Sequence, residues 1–293
     1  MSENASERTR RLRPVVAASL VGAILLVAAY VASVVAYRSS IQGDFTPPQT
    51  RPDTVAVVFV PLDIDTIAKE ITAEVLIFPG QQLLTIDGRL ARDISIDTYT
   101  AKPGTITYQQ GSVPTPVRAT IPAMGVVQEY PFDNYTIDLQ ARSVLEPEKG
   151  ETEPTALPLS LSVYFEVPGW TYTSISEDPG FTSETVTSYG RIDRAGGTVT
   201  IALIFIILMV MFGVLAVITV VAGWRGRLEL TISTAAWLTS SVFALIALRN
   251  ALPGHPPLGS WMDVLAYFWV IATIMVMIGV TVVSLVVSKP EES

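Results

Sequence analysis

Thirty consecutive residues, Ala195 to Trp224, carry no charge. A bilayer-crossing helix needs about 20 such residues. Three further runs behave alike: Val15–Tyr37, Leu230–Leu248 and Val264–Ser288. Four apolar runs in 293 residues, 49% of them hydrophobic, exclude an ordinary soluble enzyme and predict an integral membrane protein. The spans are expected at 14–37, 198–223, 230–248 and 264–288. They are separated by a linker at 38–53, a domain at 54–194 and a loop at 249–263. Short tails at 1–13 and 289–293 flank them.

Charge orients these spans. Arg8, Arg10, Arg11 and Arg13 precede the first run, Arg225 and Arg227 separate the second from the third, and Lys289 follows the fourth. Basic residues favour the cytoplasmic side. Both tails are therefore expected inside, and residues 39–197 outside the plasma membrane of a bacterium. The first run reads as a retained signal anchor, because its apolar core is longer than that of a cleaved signal. Trp170, Trp224, Trp261 and Trp269 lie in or near expected membrane edges.

The region between the first two spans is β-rich. Thr54–Val60, Glu70–Phe78, Asp93–Tyr99, Thr105–Gln109, Tyr135–Ala141, Leu157–Val167 and Glu184–Ile192 are rich in β-branched and aromatic residues. Turn residues punctuate them, which predicts an extracytoplasmic antiparallel β-sandwich. The fold class is thus α+β: a signal-anchor helix, the sandwich and a three-helix transmembrane bundle. Residues 39–197 hold 21 acidic and 10 basic residues, a balance that disfavours nucleic acid as a partner.

Cysteine is absent, which excludes disulfides, thiol catalysis and Cys-ligated zinc. His255 is the sole histidine, so a multi-His metal site is excluded too. Nucleophile–base pairs and phosphate loops are missing from the sequence, and neither enzyme activity nor a cofactor is expected. Asp63 and Asp65 could bind a cation, though a solvated strand end is the commoner case, and Ser260 with Asp263 reads as a capping box opening the fourth span. Arg249 and Asp263 flank one loop and are candidates to pair. His255 has a charge that changes near neutral pH, but an ordinary loop residue is the commoner case.

The third span carries Thr231, Ser233, Thr234, Thr239, Ser240 and Ser241. At helical spacing Arg227, Thr231, Thr234 or Ala235, Leu238, Ser241 or Val242, Leu245 and Arg249 form one stripe. Around an axis, such a stripe makes a hydroxyl-lined throat with an apolar constriction. It equally makes a helix-packing face, where small and hydroxyl residues permit close approach.

The order of parts resembles a pentameric ligand-gated ion channel. Leu230 to Ser233, then Leu238, then Val242 and Phe243, then Leu252 and Pro253 keep step with that family's pore helix. The resemblance implies that Arg227, Glu229, Thr231, Ala235, Leu238, Val242, Leu245 and Arg249 line a pore, with Leu238 at its gate. Glu129 to Leu139, read EYPFDNYTIDL, resembles the family's aromatic-Pro-Phe-Asp signature. That likeness implies a domain-coupling pair between Asp133 and either Arg191 or Arg194.

Departures accompany the resemblance. An N-terminal span stands in place of a C-terminal fourth helix, the loop Cys pair is absent, and the first helix of the trio has no Pro. The chain also resembles an uncharacterised actinobacterial membrane-protein family in its one-plus-three topology and the RNALPGHPPLGSWMD loop. Two readings stay open: a channel-like homo-oligomer, a pentamer if the likeness extends that far, and a non-conducting envelope protein that displays a β-sandwich to a binding partner. Membrane lipid is an expected contact in both.

Overall fold

The computed structural model describes residues 45–147, 153–176 and 180–287, with isolated helical positions between Ile24 and Val35. Most of the expected first span, both terminal tails and part of the charged loop after Leu145 lie outside the described residues. The chain forms two compact units. One runs through Arg194 and includes Pro256–Trp261; the other holds Ala195–His255 and the segment from Met262.

The first unit is a β-sheet domain of ten strands: β1 (Val55–Asp65), β2 (Glu70–Pro79), β3 (Ile94–Thr98), β4 (Thr105–Tyr108), β5 (Val117–Gly125), β6 (Asn134–Leu145), β7 (Thr155–Leu157), β8 (Leu159–Val163), β9 (Trp170–Ser174) and β10 (Val186–Arg194). Alternation drives most of them. In β2, Ile71, Ala73, Val75 and Ile77 are buried, while Glu70 is exposed and the residues between are partly so. That is the two-residue period of a strand with one face on a core.

Strand β1 differs. Val55 to Phe59 are all buried, so both faces are covered, and β1 lies between β2 and β8. The ladder to β2 shifts register between Pro61 and Asp63, where proline has no N–H to donate.

Two crossings tie the strands around one core. Strand β5 pairs with β2 through Pro122, then with β6 from Ala123. The β7–β8 stretch pairs with β6 up to Leu157 and with β1 from Leu159, breaking at Pro158. Phe59, Ile71, Ile96, Ile121, Ile137, Leu139, Leu159 and Ile192 share the resulting core.

One expectation needs correction. The β1–β8 ladder is parallel; the other eight ladders among the described residues are antiparallel. The antiparallel ladders from β1 through β2, β5 and β6 to β7 make β7 run the same way as β1, and β8 continues that direction past Pro158.

The second unit contains α1 (Gly196–Trp224), α2 (Ile232–Asn250) and α3 (Phe268–Val287), the last preceded by a π-helical turn at Asp263–Tyr267. Gly196–Trp224, Ile232–Asn250 and Asp263–Val287 are each long and apolar enough to cross a membrane. The connection between α1 and α2 is tight. A Cβ on Gly223 would stand 2.5 Å from the Leu230 side chain, and Gly226 turns the chain at φ +64°. Gly213 lets α1 approach Val270 of α3, whose nearest methyl would lie 3.3 Å from an added Cβ.

Candidate functional site

In α2, the third apolar run of the chain, Thr231 is the N-cap. Its hydroxyl accepts from the Thr234 N–H at 3.4 Å, and Thr234 returns the contact in a capping box. The other hydroxyls are mostly answered inside the helix. Thr239 donates to Ala235 O, Ser240 to Ala236 O and Ser241 to Trp237 O, each at 2.9 Å. These are bonds to the i−4 carbonyl, which let hydroxyls sit in an apolar setting without water or a partner helix. The number of hydroxyls is therefore weak evidence for a wet face.

The direction of the stripe is set by packing. Leu238 and Leu245 are 0% exposed and Ser241 is buried within a single copy of the chain. Val242 and Ala235 are half-buried at the edges of that face. The opposite side, Ser233, Ala236, Trp237, Ser240, Phe243, Ala247 and Asn250, is exposed. Arg227, Glu229 and Thr231 are exposed at the first end of the helix. Thus the residues assigned to a pore divide: Leu238 and Leu245 are buried in their own bundle, whereas Arg227, Glu229 and Thr231 are exposed.

At the other end of α2, Arg249 is half-buried. It donates from Nε to Asp263 Oδ1 at 3.2 Å and from Nη2 to Oδ2 at 3.0 Å. The Asp263 side chain is fully buried and opens the π-helical turn. The two residues that flank the loop thus pair, and this carboxylate joins the end of α2 to the start of the last span. Ser260, the other residue of the expected capping box, is fully buried just ahead of that helix.

A second buried pair lies in the β domain. Arg194, the last residue of β10, donates from Nε to Asp133 Oδ1 at 2.6 Å and from Nη2 to Oδ2 at 3.0 Å. The side chains are 2% and 0% exposed. Its guanidinium lies over two rings, 4.7 Å from the Tyr130 centroid and 4.3 Å from that of Trp170. The Tyr135 hydroxyl donates to Asp133 Oδ2 at 3.1 Å. Burial, then the neighbouring Asp133 charge, push that hydroxyl well above the usual tyrosine range.

The local backbone accommodates this arrangement. Gly125 sits opposite Tyr135 in the β5–β6 ladder, and a Cβ there would fall 2.3 Å from the Tyr135 ring. Tyr130 precedes a cis proline, Pro131, and closes a short 3-10 turn at Val127–Glu129.

Of the two arginines expected opposite Asp133, Arg194 makes the contact and Arg191 does not. Arg191 binds Asp193 at 2.9 Å on the exposed side of β10. The two arginines are three residues apart and so lie on opposite faces of one strand. Trp170, expected near a membrane edge, is buried in the β domain, edge-on to Tyr135 at 5.6 Å, and covers Arg194. Asp65, considered as a cation ligand, accepts from the N–H groups of Ile67 and Ala68 and so closes the β1–β2 turn. His255 is exposed, at φ +41°. Among the described residues no group of three or more His, Asp or Glu side chains is placed to hold a metal ion.

Both halves of the chain match known family models. Residues 45–188 are similar to a family described as Domain of unknown function (DUF4436). Residues 194–288 are similar to a second, Domain of unknown function (DUF8686). No curated protein matches the chain. The first match spans β1 to the start of β10 and the second spans all three helices, so together they fit an uncharacterised family of membrane proteins with a β domain and apolar helices.

Proposed function

We propose that this chain is a non-conducting protein of a bacterial plasma membrane, which displays an extracytoplasmic β-sandwich for binding or scaffolding. The tails lie in the cytoplasm and residues 39–197 outside, as the basic residues beside the apolar runs favour. The carrying observation is the 0% exposure of Leu238 and Leu245 in a single copy. A gate residue must reach the lumen of an assembly, whereas these two are consumed by packing before any assembly forms. The internally bonded hydroxyls of Thr239, Ser240 and Ser241 support the same reading.

The channel reading has one observation in its favour. The Asp133–Arg194 pair joins the two partners that the likeness to ligand-gated channels implies. In a conducting homo-oligomer the lining would have to come from the exposed side of α2, around Ser233 and Ser240, rather than from Leu238.

Leu238→Thr separates the two. A packing helix loses thermal stability in detergent and passes no current in planar bilayers at any pH. A leak that appears with Leu238→Thr, with stability unchanged, would return Leu238 to a pore and overturn the proposal.

A further inference from the structure

Four large apolar side chains project from one end of the β domain. Ile67 is 67% exposed, Met124 74%, Val126 50% and Phe132 58%. Single exposed apolar residues are ordinary on a protein surface. These come from separate parts of the chain. Ile67 belongs to the β1–β2 turn, Met124 to the end of β5, Val126 to the residue just beyond that strand, and Phe132 to the turn before β6.

The ladders bring those segments together. Glu70 is opposite Pro122, and the Ala123 N–H donates to Lys69 O at 2.9 Å. The Tyr135 hydroxyl interacts with both Thr66 and Asp133, which ties the β1–β2 turn to the residue after Phe132. The four residues are thus a rim on one end of the sheet. Arg194 belongs to the same end, since Asp193 pairs with Asn134 at the start of β6. The chain leaves that end at Arg194 and opens α1 at Gly196, whose helix is long and apolar enough to cross a membrane.

We infer that this rim is a lipid-contacting surface: Ile67, Met124, Val126 and Phe132 enter the outer interface of the same bilayer that α1 crosses. Ala195 alone separates Arg194 from α1, so the tether supplies proximity and the partition of the apolar side chains supplies the free energy. Each side chain then leaves water for the headgroup–acyl boundary, as the apolar faces of interfacial segments do. Both signs of charge flank the rim, Asp65 and Glu70 against Lys69, so a zwitterionic interface suffices. The inference rests on the helices being membrane spans, and it goes beyond the proposed function in naming what the end of the domain binds.

Because the chain has no cysteine, single-Cys variants of the full protein can carry a nitroxide without background. Ile67→Cys, Met124→Cys and Phe132→Cys are reconstituted in phosphatidylcholine vesicles and compared with two reference sites. Ile86→Cys lies in the loop beyond the far end of β2 and is fully exposed; Val214→Cys is half exposed on α1. The expected result is several-fold greater accessibility to oxygen, which concentrates in lipid, than to a water-soluble relaxation agent at the rim and at Val214. Ile86 should show the reverse.

Rim labels as water-accessible as Ile86 would overturn the inference while leaving the spans intact. Labels shielded from both agents would overturn it too, in favour of a second copy as the occupant. Water accessibility at Val214 would remove the membrane reading itself, and the inference with it.

Discussion

Arg194 and Arg249 each chelate a carboxylate that solvent does not reach, one in the β domain and one among the helices. Their surroundings are unlike. Arg194 is stacked on Trp170 and Tyr130 beside a continuous apolar core that includes Tyr135 and Ile192. Arg249 sits at the end of a helix whose apolar window is only 17% buried. In the β domain the ion pair is one contact among many, and the water-driven burial around it does most of the stabilising. Among the helices lipid is as apolar as the side chains, so stability falls to the few surfaces that interlock. Leu238, Leu245, Ile274 and the Arg249–Asp263 pair are such surfaces.

Substitutions can break this contrast or sharpen it. The largest effect is expected at Asp133→Ala, which strands the Arg194 charge between two rings at a cost of about 3–5 kcal/mol. Thermal melting followed by near-UV circular dichroism should show the β domain losing its fixed aromatic packing first. Survival of the wild-type melting curve would mean the guanidinium finds water.

Leu238→Ala comes next. A buried leucine cut to alanine costs about 2–5 kcal/mol, whereas Phe243→Ala on the exposed side should stay within about 0.5 kcal/mol. Equal losses in an unfolding titration of the detergent-solubilised protein would mean that the two faces of α2 are equally partnered, and would dissolve the distinction between them.

Alkaline pH isolates the β domain. Tyr108 is buried, donates to Val75 O at 3.3 Å, and its hydroxyl is pushed by burial up to about 12 from 10.0. Between those pH values the unfolded chain has released the phenolic proton and the native chain still holds it. The native state binds more protons there, so its stability is whole below pH 10 and declines as pH rises toward 12. Two units correspond to a loss of about 3 kcal/mol. Tyr108→Phe should flatten that decline in chemical denaturation measured across the window; an unchanged slope assigns the alkaline sensitivity to other groups, Tyr135 first.

The smallest effect is expected at Ser240→Ala, within about 0.5 kcal/mol, because its hydroxyl bonds its own helix and the site is exposed. A loss of oligomer or of stability beyond that would point to a partner on the exposed face of α2.

Much of the fold is legible in the residues. Uncharged runs of helical length give the three described spans, and β-branched runs give most of the strands. Strand β5 escapes notice because Arg118 and Pro122 interrupt its apolar pattern, and β9 because WTYTS is short and polar. Asp133 and Arg194 emerge as partners from the motif, but the choice against Arg191 needs strand parity. Ile192 is fully buried and Arg194 shares its face, so alternation along β10 contains the answer. The orientation of α2 is harder. Periodicity isolates a stripe through Leu238 and Leu245 without saying what the stripe faces. In a membrane an apolar neighbour and an apolar lipid leave the same mark on a sequence.

The parallel ladder between β1 and β8 has a cost in time. Val55 through Val60 is an apolar strand whose second edge stays open until Leu159 arrives, roughly a hundred residues later in synthesis. At the usual pace of elongation that wait lasts on the order of 5–20 seconds. Through that interval the growing chain presents an unpaired, charge-free edge, the kind that recruits other strands. Folding of the β domain is therefore a race between the arrival of Leu159 and a stray strand.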